Sequence, residues 1–555
     1  MLVSPDAGAN RAKILSTRSP AGIGEKLQSA LGWLLAALLL ATYVAMLQRY
    51  SVNFPSADDF VQFLAVPHYF AHEATLRGKL THLFSLAVEH RIVTLRLAAL
   101  MQGHFLGGLN FQVLMYVGSA LLVVAGALLI STFDGPARPL LAAIAAALLL
   151  APANYEATFW ATGALTHFAV LGYVFAALYC LGRRGVGWHI GAWVLALVAA
   201  FTTANGLMAF PAAVLLLAMM RRWRLALVWV VLGAALFGVY FVGYETPAHQ
   251  LSLGDYLRDP FVPLRFFFTS LGALAHDAYF AHALGVSISL FWAFLILSGR
   301  VKSLPPVFGA WSVFLLLSFA AITWGRAGFG DRGALLSRYR GYSEFAVLLT
   351  LMALFWQLPR TLGMRLLWTA LPLSLVAFMA SWRYDLPELE RFFIWHQYSL
   401  DYYVAEGHSV PNDPPPEAFR DFMLEAAREL GVYDPSRVAR APLNLVADNR
   451  ALDATRPQLI WVERPIAGKR AMIVNAHGPG HEADAVIWLE GDQHKYRGAF
   501  EAMPRAPLAL GRRTGFLWGV YALAGVTPGR YRLGVGVDDA ISPVVAWSDY
   551  WINVE

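Results

Sequence analysis

Long apolar runs alternate with short polar breaks over the first two thirds of the chain. A helix needs about twenty apolar residues to cross a membrane, fewer where neighbours thin the bilayer. Runs at 27–48, 111–133, 139–153, 165–182, 188–204, 206–220, 225–243, 281–298, 306–324, 342–357 and 365–382 approach that length. They predict a polytopic α-helical membrane protein with about eleven spans. Two further segments are ambiguous. The run 92–106 carries Arg96 and His104 directly after Arg91, so it reads equally as an interfacial or an oblique helix. The other is 262–280, VPLRFFFTSLGALAHDAYF.

After Trp382 the pattern turns polar, with a proline-rich break at PNDPPPEAF. Residues 416–430 then read as one amphipathic helix. Phe419, Phe422, Met423, Ala426 and Leu430 share a face, Pro416 suits the first turn and Gly431 ends it. From 457 the signal changes to short strands: QLIWVE, RAMIVNA, DAVIWLE, FLWGVYAL and GRYRLGVGV. In the last, Tyr531, Leu533, Val535 and Val537 alternate with Arg530, Arg532, Gly534 and Gly536, which gives one buried face. Such strands predict a β-sandwich or jelly roll. The expected organisation is a tail 1–26, a transmembrane domain 27–382 with a long first loop 49–110, a helical connector 383–456, and a sandwich-like domain 457–555 closing an α+β region. Trp461, Trp488, Trp518 and Trp547 are expected in cores or docked on the membrane domain, although exposed aromatics of sandwiches also stack on sugars.

Composition agrees with the pattern: 57% of the 555 residues are hydrophobic and 14% charged, against roughly a quarter charged in a soluble protein. The net charge of +6 points first to Arg and Lys in cytoplasmic loops, ahead of nucleic acid. Arg11, Lys13, Arg18 and Lys26, then Arg138, Arg183 and Arg184, Arg221, Arg222 and Arg224, Arg300 and Lys302, and Arg360 and Arg365 fall on one side of an eleven-span topology. That side is the cytoplasm. The loops 49–110, 154–164, 202–206, 244–280 and 325–341, and everything after 383, fall outside. The first run is too long and too late for a cleaved signal and reads as a retained span. A single cysteine, Cys180, lies inside an apolar run, so no disulfide braces the outside region.

The outside loops mix acids, bases and aromatics, and the first holds the most pointed group, SADDF at 56–60. Ser56 and Asp59 have the spacing of a capping box, and a carboxylate in a first turn complements the helix dipole. One acid suffices for that, which leaves Asp58 over. The same loop holds Glu89, His90 and Arg91, with His68 and His72 four apart on one helix face. Two histidines at that spacing can ligate a metal, but no third ligand is fixed by spacing. The loop 325–341 concentrates Arg326, Arg332, Arg338 and Arg340 against the positive-inside trend. A phosphate site accounts for such arginines, as do lipid headgroups or pairing with Asp331 and Glu344. Glu156, Trp160 and His167 in NYEATFWATGALTH, together with Asn205, Glu245, His276 and Asp277, are further candidates to shape a pocket.

The order of these features resembles the GT-C glycosyltransferases: a first span, an outer loop with an acidic pair, many spans and an outer C-terminal domain. Locally the resemblance rests on ADDF, on EHRIVTLRL and on WGRAGFGDRGALLSRYRGYSEF at 324–345. It implies a membrane enzyme of the bacterial inner membrane that moves a sugar from a polyprenyl-phosphate carrier to a glycan, lipid or protein acceptor on the periplasmic face. Asp58 is then the catalytic base, with Asp59 its neighbour, and transfer proceeds with inversion. Arg326, Arg338 and Tyr339 are the leading phosphate-site residues, and Glu89, His90, Arg91, Glu156, Trp160 and His167 line the substrate. Metal use stays open, since some members bridge carboxylate and phosphate with a divalent cation, Mg or Mn, and others do not; Asp58 would be its ligand. A transporter or flippase of lipid-linked sugar, and a glycan polymerase or ligase relying on arginine, are the alternatives. The absence of two similar halves speaks against a transporter.

Overall fold

The structure, a computed structural model, describes residues 23–555 except 88, 248–249, 412, 440, 449, 453–460, 468–470, 478–484, 501–515 and 538–542. Arg11, Lys13 and Arg18, and the residues that open QLIWVE, lie outside the described residues.

Every one of the eleven apolar runs is helical. Among the described residues, seven helices are long and apolar enough to cross a membrane: Gly24–Tyr50, Phe111–Ile130, Ala161–Gly182, Trp223–Tyr240, Ala278–Leu297, Pro306–Ala334 and Arg360–Tyr384. An eighth candidate is the pair Ala137–Leu149 and Pro152–Phe159, bent by 45° at its break. The number falls below eleven for physical reasons. Val186–Ala200 and Ala204–Met219 are short, and Ser337–Gln357 begins with Arg338, Arg340 and Glu344 in its first turns. The architecture is that of a polytopic membrane protein with a C-terminal β region.

Helix Ala161–Gly182 is central, 72% of its apolar window being buried, whereas Trp223–Tyr240 is peripheral at 22% and exposes Leu227 and Val231. That is the expected distribution where lipid, not water, surrounds the bundle. The ambiguous run 92–106 forms Val93–Phe105, whose Arg96 donates to the carbonyls of Leu83 and Ser85 at 3.0 and 2.8 Å. The run 262–280 splits into helix Phe261–Leu271, a short turn and the start of Ala278–Leu297. These two helices pack backbone to backbone: a Cβ on Gly272 would lie 2.0 Å from the Ala281 carbonyl oxygen, and one on Gly285 would lie 1.9 Å from that of Phe268. Only glycine permits that approach.

Asp385 ends the last span, and helix Leu386–Glu406 follows at once. Helix Glu417–Glu429 is closed by Gly431 at φ 68°, as its sequence predicts. Its buried face is Arg420, Met423, Leu424, Ala426 and Ala427, while Phe422 is 53% exposed. The predicted face is therefore rotated. The helix lies over the first loop, where the Phe422 ring meets His68 edge-on at 5.1 Å and Leu109 N–H donates to the Val432 carbonyl at 2.6 Å.

The nine strands are β1 Leu443–Asn444, β2 Val446–Ala447, β3 Trp461–Ala467, β4 Ala471–His477, β5 Ala485–Glu490, β6 Lys495–Ala499, β7 Phe516–Ala522, β8 Gly529–Val537 and β9 Val544–Val554 among the described residues. They form two sheets, ordered β1-β7-β4-β3 and β2-β6-β5-β8-β9. Met472, Val474 and Leu517 of one sheet pack against Ile487, Leu533 and Val535 of the other. The alternation in GRYRLGVGV fits: Tyr531, Leu533 and Val535 are buried. Strand β9 escapes the period-two pattern because its register against β8 shifts between Arg532 and Gly534, a bulge that puts neighbouring side chains out of phase. The β4 run is apolar on both faces because Ala471 and Ile473 also pack on Tyr398 and Tyr402 of helix Leu386–Glu406. Trp488 and Trp518 are buried, and Trp518 docks edge-on against Phe393 at 5.8 Å.

Candidate functional site

Chain 51–60 is packed rather than loose: Ser51, Val52, Phe54 and Phe60 are buried. Asn53 anchors it, its side-chain oxygen accepting from Phe111 N–H at 2.8 Å and its carbonyl from the Tyr433 hydroxyl at 2.6 Å. Ala57 then takes φ 47°, a left-handed conformation that costs a residue with a Cβ roughly 1–2 kcal/mol. The turn sends the adjacent carboxylates apart.

Asp59 points inward and is fully buried. One carboxylate oxygen accepts from Thr162 N–H at 2.9 Å and from the Thr162 hydroxyl at 2.6 Å; the other accepts from Ser56 N–H at 3.1 Å. The last bond is the carboxylate half of the predicted capping box; the helical turn that follows has no side-chain cap. Burial raises the Asp59 pKa to about 7, against the pull of these donors. The Trp160 indole N–H donates to the Ser56 carbonyl at 3.1 Å, so Trp160 braces the turn. Two single π-helical turns flank this contact, Phe60–Leu64 after the acids and Ala164–Phe168 carrying His167. Such turns recur at functional sites because they re-aim side chains.

Asp58 points outward. It is exposed, and its carboxylate makes no hydrogen bond among the described residues. Surrounding protein raises its pKa; Arg338 opposes that, Glu89 adds to it and Arg326 opposes it. Arg326 is ion-paired with Glu89. Glu89 also lies 3.7 Å from His90 Nε2, whose Nδ1 is 3.4 Å from the Ala204 N–H. Burial lowers the His90 pKa although Glu89 favours its charge, so the ring is neutral at pH 7. Arg338 leads helix Ser337–Gln357, with Glu156 holding that helix start. Glu156 accepts from the Ser337 hydroxyl at 3.0 Å and from Arg338 N–H at 3.3 Å, and its other oxygen lies 3.8 Å from the guanidinium. The guanidinium carbon stands 5.4 Å from the Tyr339 ring centre, and Tyr339 meets His167 edge-on at 5.4 Å.

The fold thus gathers Asp58, Arg326, Arg338, Glu89, His90, Glu156, Tyr339, Trp160 and His167 at one end of the bundle. No known protein family, curated protein or solved structure matches this chain.

Several candidates fall elsewhere. Arg91 faces away: its N–H donates to the Tyr240 hydroxyl at 3.0 Å, and its guanidinium binds the carbonyls of Tyr240, Phe84 and Val242. It clamps the loop to a peripheral helix. Arg340 pairs with Asp385 at 2.7 Å, Asp331 pairs with Arg265, and Glu344 is held by Asn154. Asp277 caps Ala278–Leu297, accepting from Tyr279 N–H and Phe280 N–H at 2.9 and 3.2 Å. Glu245 is exposed. The His68 and His72 rings are 4.3 Å apart, but among the described residues no group of three His, Cys, Asp or Glu could hold a metal ion. With Asp59 satisfied by Thr162 and Ser56, the acidic pair offers one open carboxylate, which is not by itself a metal site. Sequence reasoning missed Thr162 and Ser337. Both lie in stretches that drew attention for their charges, and neither hydroxyl stands out before its partner is known.

The arrangement offers an exposed carboxylate, made more basic by its surroundings, opposite two guanidinium groups. That set can take a proton at one point and hold an anion at another.

Proposed function

We propose that this protein is a GT-C-type glycosyltransferase that takes its sugar from a polyprenyl-phosphate donor at the outer face of a bacterial inner membrane. Its N-terminus is cytoplasmic, and its acceptor is a cell-envelope glycan, lipid or protein. The observation that carries the reading is one exposed carboxylate without a hydrogen bond among the described residues, Asp58, within electrostatic reach of Arg338 and Arg326, at the bundle end where the basic short turns are not found. In this reading Asp58 accepts the proton of the acceptor hydroxyl. The acceptor oxygen bonds to the anomeric carbon as the bond from that carbon to the phosphate oxygen breaks, and inversion follows. The electron pair leaves on the lipid phosphate, which Arg338 and Arg326 hold; arginine suits this because its planar fork pairs with phosphate oxygens and stays protonated. The raised Asp58 pKa makes it a better base than a carboxylate in water. Trp160, half-buried against the Ser56 turn, offers an aromatic face of the kind against which a pyranose stacks.

The test is transfer from a polyprenyl-phosphate sugar by purified protein in detergent. Wild type consumes the donor, and Asp58→Asn does not. If Asp58→Asn transfers at full rate while Arg338→Ala does not, the base assignment is wrong and a ligase that relies on arginine is favoured. If the protein moves the lipid-linked sugar between leaflets without consuming it, it is a transporter.

A further inference from the structure

The opposite side of helix Ser337–Gln357 carries a second polar cluster that the proposed transfer does not use. Arg340 and His276 both bind Asp385, each at 2.7 Å, and the Ser381 hydroxyl donates to the same carboxylate at 2.7 Å. His276 Nδ1 lies 2.8 Å from the Leu274 carbonyl. Both ring nitrogens thus face oxygen atoms. His276 reaches this position through φ 60°, strain of the kind seen at Ala57 beside Asp58. Glu344 lies next to this cluster and is fully buried. Its Oε2 accepts from Asn154 at 2.7 Å, and its Oε1 has no partner among the described residues.

Glu344 lines a cavity of about 260 Å³ with His276, Ser381 and Tyr384 at its polar end and alanines and leucines such as Leu148, Ala377 and Ala380 along its walls. That far exceeds the 10–15 Å³ or so that one water needs. Tyr384, which lines the cavity, is 70% exposed, so the cavity reaches the outer surface of the last apolar helix. Asp385 already holds Arg340, His276 and the Ser381 hydroxyl, and Glu344 Oε2 holds the Asn154 amide, so the open Glu344 oxygen is the group left for a ligand to meet. A charged ligand would leave net charge in an apolar crevice, which is costly. A hydroxyl meets the open oxygen and adds no charge.

We propose that this crevice binds a lipid alcohol, an amphiphile with an apolar body and an uncharged hydroxyl that hydrogen-bonds to Glu344 Oε1. A diacylglycerol and an isoprenoid alcohol share that chemistry. The experiment uses the full-length protein in phosphatidylcholine nanodiscs, with bound lipid read by native mass spectrometry. The probes are 1,2-dioleoylglycerol, its 3-acetate, dioleoylphosphatidate, geranylgeraniol and geranylgeranyl acetate. Wild type should retain the alcohols about tenfold better than the matching acetates and better than phosphatidate; whichever alcohol is retained more names the source. Glu344→Gln turns an amide N–H₂ into the cavity and should erase the preference of alcohol over acetate. Ala380→Trp narrows the cavity from its apolar wall and should displace both. Equal retention of alcohol and acetate by wild type, tighter binding of phosphatidate, or unchanged retention in Ala380→Trp each overturns the proposal. Should Glu344→Gln not fold, the probe comparison on wild type and the Ala380→Trp result still decide it.

Discussion

Helix Ser337–Gln357 separates two clusters built from the same parts. On one side are Asp58, Glu89, Arg326, Arg338 and His90; on the other are Glu344, Asp385, Arg340 and His276. Each has a left-handed residue that is not glycine at its edge, Ala57 or His276. Water access distinguishes them. Asp58 is exposed and unbonded, whereas Glu344 is fully buried and Asp385 is saturated by three donors. An exposed carboxylate facing arginines can exchange protons and meet an incoming anion. A buried one can only position or bind. The comparison teaches that residue type does not assign a role here; what each carboxylate faces does.

The largest expected effect separates the two sides. Asp58→Asn keeps the shape and removes the proposed base, so the proposed transfer should fall by roughly 10²- to 10⁴-fold with an unchanged melting temperature and unchanged lipid retention. A loss of folding instead would make Asp58 a structural residue and erase the contrast. Arg338→Ala should follow, with kcat/KM for the lipid-phosphate donor down by roughly 10²-fold, and Arg338→Lys should restore only part because an ammonium lacks the fork. If Arg340→Ala proves as damaging to donor use as Arg338→Ala, the two sides form one site.

Asp59 holds the turn that presents Asp58. Removing it in Asp59→Ala strands Thr162 N–H, the Thr162 hydroxyl and Ser56 N–H, which should cost about 2 kcal/mol or more, measured by thermal melting in detergent. Transfer per folded molecule should fall less than in Asp58→Asn. A stable Asp59→Ala protein with no transfer would exchange the roles of the two acids.

Much of this was legible in the sequence, for reasons that differ by element. Apolar runs predict helices because membrane helices must satisfy their own backbone, and every run proved helical. The number of crossings was harder to read, since Ser337–Gln357 mixes a polar start with an apolar body and Ala137–Leu149 bends into Pro152–Phe159. Asp58 and Asp59 were separable because a cap uses a single acid. That Asp59 would bind Thr162, across 103 residues of sequence, has no local signal, nor does the turning of Arg91 towards Tyr240. The rotated face of Glu417–Glu429 has a similar cause: Phe422 meets His68 of the first loop, a partner that periodicity cannot name. In the sandwich, β9 was lost to its bulge.

The smallest effect is a matter of pH and tests whether Asp59 is as dry as its surroundings imply. Burial lifts its pKa to about 7 in the folded protein, from about 3.9 in an unfolded chain. Below about pH 4 both states hold the proton, and the contribution to stability is complete. As pH rises between the two values, the unfolded chain sheds the proton while the folded one keeps it. Stability therefore declines with rising pH, and the contribution is lost once pH passes about 7. The melting temperature of wild type should drop between about pH 5 and 8. Asp59→Asn, which has no proton to lose there, should lack that part of the slope even though its amide meets Ser56 N–H poorly and lowers stability throughout. Other groups titrate over the same range, so the difference between the two curves is the quantity to read. Parallel curves would mean that water reaches Asp59, and the two acids would then differ in degree rather than in kind.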